Sequence, residues 1–333
     1  MIKPKRPRLR RLLYAVLAIV VAATGVLVAQ VATADSSRVD VKPATYRSPA
    51  YNAPMLHVKV ASLTVNVSAG QAAYVNSNLR FGNATTRILV DSQLECFNSK
   101  GTSVRKLLRA QNVYAAGSGS LSKVSLTTRF LLPSKTAASF RCDLSLWTRS
   151  LGDAGRVSLT SGFVELAGKY RGTTQAATTS RALVSAGKPA WTPSVKGSAS
   201  VPGESGLWQA PSGTKSLSVF GDFQLTTCYG KDKPPCPETA NDKKGSSVRT
   251  TLVATQFKKD GSVCKTSTVS DDTRIQQYVH HQPVYLHNAK VPVVTGSGCV
   301  PVFSIYAKHQ LRAYHPYYIH GRSEDALISV IPV

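Results

Sequence analysis

The chain has 333 residues, with 41 Lys and Arg against 17 Asp and Glu, a formal net charge of +24, and 42% hydrophobic residues. This composition is too apolar for a disordered tail and too polar for a polytopic membrane protein. At about 150 residues per domain, the length predicts about two domains.

The charge divides between an address label and a working surface. Lys3, Lys5, Arg6, Arg8, Arg10 and Arg11 precede an uncharged run from Leu12 to Ala34 that ends in Ala32-Thr33-Ala34. A basic start, an apolar run and a small-x-small end make an export signal. Left uncut, the run would extend roughly 34 Å as a helix and anchor the chain in a membrane. Residues 1–34 are therefore read as a signal peptide or membrane anchor. Both readings send the rest of the chain across the membrane as a secreted or envelope-associated protein, and any membrane contact runs through residues 12–34. Beyond Ala34 the chain keeps 35 of its 41 cations and all 17 acids, a net charge of +18.

Residues 35–55 contain three Pro and no apolar period, and they read as an extended linker. From His57 to Val67 the apolar residues alternate, slip phase near Ala61-Ser62 and resume, the pattern of a strand with a bulge. In Ser139–Trp147, Phe140, Cys142, Leu144 and Leu146 share one face and Arg141, Asp143 and Ser145 the other, as in a strand with one buried side. Further strands are predicted at Thr86–Leu94, Leu121–Leu132, Arg156–Leu166, Lys215–Thr227, Val248–Phe257, Pro283–Val294, Val300–Leu311 and Ala326–Ile331. The single helical candidate after the leader is Val104–Asn112. Asp91 and Asp222, in V-D-S-Q-L and G-D-F-Q-L, read as solvent-facing strand residues or turn caps.

Many short strands separated by turn residues predict an all-β fold. The Thr-, Ser-, Gly- and Pro-rich stretch Gly168–Gly206 places a boundary near residue 185, giving module 1 at 56–185 and module 2 at 186–333. Arg87–Leu94 (RILVDSQL) and Thr250–Phe257 (TTLVATQF) share L-V-x-[S/T]-Q-apolar, so the modules read as related. Phe140-Arg141-Cys142 resembles the Y-x-C of immunoglobulin-like domains. That resemblance favours a sandwich over a barrel, so with the boundary and the repeat the expected fold is two tandem antiparallel, immunoglobulin-like β-sandwich modules.

All six Cys (Cys96, Cys142, Cys228, Cys236, Cys264 and Cys299) follow the leader, and an even count in an exported chain predicts disulfides. The repeat favours Cys96 with Cys142, Cys264 with Cys299, and Cys228 with Cys236. Cys228 with Cys299 and Cys236 with Cys264 is the alternative.

No G-x-S-x-G, H-E-x-x-H or phosphate-binding Gly loop is present, so no catalytic residue, cofactor or metal ligand is assigned, and the chain reads as non-catalytic. A secreted hydrolase with a non-local site is the lesser alternative. Lys100–Arg149 holds nine cations against Asp143 alone. Thr273–Ser323 holds six of the seven His and no acid. Within the latter stretch, Lys308–Arg322 interleaves cations with Tyr, a combination that binds anions and stacks on sugar rings. The candidate ligand residues are Arg312, Tyr314, His315, Tyr317, Tyr318 and His320. Outside the cell the expected partner is an anionic envelope polymer or acidic glycan, with a protein partner as the alternative and no dedicated nucleic acid.

Overall fold

The structure, a computed structural model, describes residues 37–116, 121–177, 182–192, 194–227, 245–275, 281–319 and 326–333. The leader expected at residues 1–34 lies outside the described residues. Among the described residues no helix is long and apolar enough to cross a membrane.

Arg38–Val333 forms one compact unit. Its first half contains β1 (Arg38–Val41), β2 (Ala44–Ser48), β3 (Leu56–Val67), β4 (Gln71–Gly82), β5 (Ile88–Phe97), β6 (Ser103–Val113), β7 (Val124–Ser134), β8 (Ala138–Ser150) and β9 (Gly155–Arg171). Its second half contains β10 (Thr174–Ala177), β11 (Ala182–Val184), β12 (Ala190–Trp191), β13 (Ala199–Val201), β14 (Glu204–Gln209) and β15 (Ser216–Thr227). These are followed by β16 (Ser246–Lys258), β17 (Val263–Ile275), β18 (Gln282–Pro292), β19 (Cys299–Tyr314), β20 (Tyr317–Ile319) and β21 (Ala326–Pro332).

All named strand pairs are antiparallel, and the protein is all-β. In the first half one sheet runs β1-β9-β4-β7, with β2 also on β9, and the other runs β3-β8-β5-β6. In the second half β10-β21-β15 and β11-β20-β15 share a sheet with β18, and the other sheet runs β13-β14-β19-β16-β17, with β12 on β19. The halves therefore repeat one strand order. If the leading strands of each half count as first, the first pairs with the last, the last with the third and the third with the sixth. The other sheet joins the second, seventh, fourth and fifth. This is a double-sheet jelly roll. The expected immunoglobulin-like order does not form, because there the first strand lies beside the second rather than beside the last.

Each sandwich buries its own core. Val75, Leu79, Ile88, Val90, Leu94, Phe130, Leu144 and Leu146 fill the first; Phe223, Leu252, Ala254, Leu286, Phe303, Ile305 and Ile328 fill the second. The alternation expected in Ser139–Trp147 is present, with Phe140, Cys142, Leu144 and Leu146 all in the core. The phase slip near Ala61 is a bulge, where Lys59 faces Ser145 and Ala61 faces Leu144.

Three expectations are corrected. Residues 38–48, expected as part of a linker, pair as β1 and β2 along β9, which supplies an edge that needs covering. Val104–Asn112 is not a helix but lies in β6, on the open side of β5. The second half begins before residue 185, because β10 pairs with β21 and β11 with β20. The chain crosses between the halves at Gly172, whose φ is 63°. A Cβ there would lie 2.1 Å from the Pro211 ring, so a side chain is excluded by both backbone conformation and space.

Cys96 on β5 is bonded to Cys142 on β8, and Cys264 on β17 to Cys299 on β19. Cys228 and Cys236 lie outside the described residues. The first bridge spans 46 residues. Replacing Cys96 and Cys142 with Ser is expected to cost about 3–4 kcal/mol in a urea titration, through the freed unfolded chain. A cost near zero would show that strand pairing alone holds this loop.

The two sandwiches meet through outward faces and edges. Tyr74, Leu131, Phe220 and Ile331 form a small apolar cluster between them. The edge strands of the first sandwich are capped by side chains of the second half. The Gln224 amide donates to Ala110 O (3.0 Å) and accepts from Ala110 N (3.2 Å). Tyr285 Oη accepts from Thr127 N (2.9 Å), and Gln175 Oε1 accepts from Leu131 N (2.8 Å). These contacts satisfy backbone groups that an open edge would expose.

Asp222 lies at the centre of this junction rather than in solvent. Its carboxylate is 2% exposed as a residue and accepts from Arg129 Nε (3.0 Å) and Nη2 (2.8 Å). The Arg129 guanidinium lies 4.7 Å from the centre of the Phe220 ring and also donates to Leu286 O (3.3 Å). Burial works against the Arg129 charge, but Asp222 and Tyr74 outweigh it and hold the guanidinium above its ordinary value. Burial pushes the Tyr74 hydroxyl up to about 12. Asp91 is also buried, on the outward face of β5.

Candidate ligand-binding face

The outward row of β19 is set by strand alternation. Phe303, Ile305, Ala307 and His309 point into the core, so Ser304, Tyr306, Lys308 and Gln310 point out. Register continues this face across β16 and β17. Tyr306 is level with Val253 and Thr268, Lys308 with Thr251 and Ser270, and Gln310 with Arg249 and Asp272. On the other side of β19, Trp191 of β12 pairs with Lys308.

Together these residues build an aromatic and cationic platform. Trp191 is 53% exposed. Its ring meets Tyr306 edge-on at 5.4 Å, and Lys308 Nζ lies 5.0 Å from its centre. Such pairs fix the orientation of a ring while leaving much of it open. Hydroxyls carpet the rest of the face, with Thr251 and Ser270 2.8 Å apart and Thr255 and Thr266 3.3 Å apart. Arg249 forms a forked pair with Asp272. The face offers a flat ring surface, two kinds of cation and hydroxyl donors, all on rigid strands.

The candidate residues divide. Arg312 is exposed at a β-bulge, where β16 passes from Ser247 to Val248 opposite Ala313 and Leu311. Tyr314 is 51% exposed, with Arg274 Cζ 5.7 Å from its ring centre. Its φ of 68° is uncommon for a residue with a side chain. These two continue the platform toward the end of β19. His315 is half-buried, and its backbone N donates to Gly245 O (3.1 Å).

Tyr317 is not on this surface. It is fully buried in the second core, and its hydroxyl has no hydrogen-bond partner among the described residues. Burial pushes that hydroxyl above its ordinary value. Tyr317 therefore cannot meet a polymer, because strand β20 turns it between the sheets. The Tyr318 backbone pairs with Leu183 and Thr226. His320 lies outside the described residues.

The histidines do not form one titrating patch. His309 is buried, with Nδ1 3.1 Å from the Thr250 hydroxyl, and burial lowers its pKa from 6.5 to about 3. His287 stacks on Phe220 at 4.1 Å, and burial, aided by Arg129, moves it down. His280 lies outside the described residues. The basic run Lys100–Arg149 is likewise divided, since Arg109 is fully buried and Arg129 is committed to Asp222. Among the described residues no three His, Cys, Asp or Glu side chains gather as metal ligands would.

Sequence reasoning missed Trp191 and Tyr306. Tyr306 stood inside a predicted strand, where alternation already set it opposite Phe303 and Ile305. Trp191 carried no such signal, because β12 has two residues and is defined by its neighbour alone. The corresponding face of the first sandwich is less open. There Trp147 is half-buried and covered by His57, the rings stacked 3.9 Å apart.

No family model matches the chain, and no curated protein matches it. Among solved structures it is similar to one of infectious bursal disease virus, Gt strain, with a TM-score of 0.32 and 10% identity over 89% of this chain. That likeness spans 42% of the viral chain, less than half its length. It is similar also to the N-terminal CBM22-1-CBM22-2 tandem domain of Paenibacillus barcinonensis Xyn10C, with a TM-score of 0.23 and 12% identity over 90% of this chain and 95% of that one. A third likeness is to PNGF-II, with a TM-score of 0.33 and 7% identity over 90% of this chain and 66% of that one.

Proposed function

We propose that the chain is a non-catalytic, exported binding protein that holds an acidic glycan or other anionic envelope polymer on the outward face of β19, β16 and β17. The observation that carries this reading is Trp191, a large ring half open to solvent yet fixed by Tyr306 and Lys308. A Trp ring held in one orientation with half its surface open, beside a cation and hydroxyls, is suited to stack on a sugar ring that carries negative charge. The excess of cations over acids adds long-range attraction for polyanions. The two disulfides fit an oxidising compartment.

The test is salt-dependent retention of the chain from Asp35 onward on immobilised polygalacturonate, with a neutral glucan as comparison. Replacing Trp191 and Tyr306 together with Ala is expected to weaken retention about tenfold or more, since each ring contributes on the order of 0.5–2 kcal/mol. Replacing the exposed Lys123 and Lys135 with Ala should change it far less. Equal losses from both pairs would mean that net charge, and not this face, does the binding.

A further inference from the structure

A concave site lies away from that face. At the edge of the first sandwich, between β6 and β7, a cleft of about 490 Å³ is bordered by the crossover segment that enters β10. Its size is that of small-molecule sites, and such sites favour the junction of two folded bodies. Phe140 and Leu132 supply an apolar wall, and Arg105, Thr173, Thr174 and Gln175 supply the polar groups. No acid lines it.

The polar groups are mostly donors. Gln175 Oε1 is already engaged, accepting from Leu131 N (2.8 Å) and Ser329 Oγ (3.1 Å). What Gln175 has left to offer is its amide N–H₂. Arg105 can only donate, and its guanidinium is held 6.0 Å from the Phe130 ring centre. A cleft with donors at one side, apolar carbon at the other and no carboxylate among the described residues selects a ligand of matching polarity.

We infer that this cleft binds a small carboxylic acid with a compact apolar body, its carboxylate toward Arg105 and Gln175 and its apolar part against Phe140 and Leu132. The site is separate from the polymer face and does not depend on it.

The test uses benzoate as probe and benzamide as its neutral counterpart, with binding to the chain from Asp35 onward followed by ligand-observed NMR and calorimetry. Benzoate is expected to saturate with a Kd tighter than about 1 mM, and benzamide to bind at least tenfold more weakly. Gln175→Glu keeps an acceptor oxygen for Leu131 N and Ser329 but replaces the free donor with negative charge. It is expected to weaken benzoate at least tenfold. Arg105→Gln should do the same, and Lys123→Gln should have no effect. If Arg105→Gln does not fold, Gln175→Glu carries the test alone. Absence of saturable binding, equal binding of benzamide, unchanged binding in Gln175→Glu or an equal loss in Lys123→Gln would each overturn the assignment.

Discussion

Asp222→Ala is expected to lower the stability of the chain by about 3–5 kcal/mol, the cost of leaving one partner of a buried ion pair alone. The guanidinium left behind is that of Arg129, whose side chain is 14% exposed. It would keep Leu286 O as an acceptor and the Phe220 ring beneath it, but no other acid among the described residues pairs with it to balance its charge. Burial of an unbalanced charge is what makes such losses large. The measurement is urea unfolding followed by Trp fluorescence. Arg129→Met combined with Asp222→Leu should recover most of the loss, because it removes both charges and leaves apolar volume against Phe220 and Tyr74. A single-variant cost below about 1 kcal/mol is typical of a solvated surface pair and would contradict the buried geometry.

The same residue shows where sequence stops being informative. Alternation assigns a strand residue to one of two faces, and G-D-F-Q-L correctly opposes Asp222 to Phe223. Which face meets water is a separate matter, decided when one sandwich covers the outside of the other. β4 and β6 were lost for that reason. On β4, Val75 and Leu79 face the first core while Ala72 and Tyr74 face the second sandwich, so Ala72–Val75 is an unbroken apolar run and the period of two is confined to Val75–Phe81. On β6, Leu107 and Val113 face the core and Ala110 and Asn112 are buried on the other side, which left V-R-K-L-L-R-A-Q-N looking helical. β17 failed in the opposite way, as an edge strand exposed along most of its length.

The ten strands predicted from alternation all coincide with observed ones, and the proximity of Cys96 and Cys142 follows from their register as direct neighbours. The repeat is more instructive. RILVDSQL and TTLVATQF do mark equivalent strands, β5 and β16. Their matched letters are nevertheless one residue out of phase: Val90 faces the first core and Leu89 does not, whereas Leu252 faces the second core and Val253 does not. Because side chains alternate, such an offset exchanges the two faces. The duplication is real in strand order, but that stretch of shared letters does not record it. On the candidate face, Arg312 and Tyr314 were legible as an exposed basic-aromatic end. Tyr317 was misplaced because its side chain is set by β20, a three-residue strand whose position depends on β11 and β15.

Acid should destabilise the chain through His309 more than through any exposed group. In the fold this imidazole is neutral well below its ordinary range, with a pKa of about 3 against 6.5, because burial disfavours the charged ring. The unfolded chain takes up the proton first as pH falls, so unfolding is favoured by acid. The contribution is fully present above about pH 6.5 and declines continuously toward pH 3, by roughly 3 kcal/mol between pH 6.5 and 4 and roughly 5 over the whole span, at about 1.4 kcal/mol per unit. His287 is shifted in the same direction and adds to the decline. His309→Gln keeps a side-chain amide to meet the Thr250 hydroxyl and has nothing to titrate. Urea midpoints measured from pH 7 to pH 4 should therefore fall more steeply for the wild type than for the variant, and the gap between the two curves should narrow or reverse toward low pH. Parallel curves would mean that the imidazole is hydrated in the folded state, and with it that the space between Phe223, Thr250 and strand β12 is open to water.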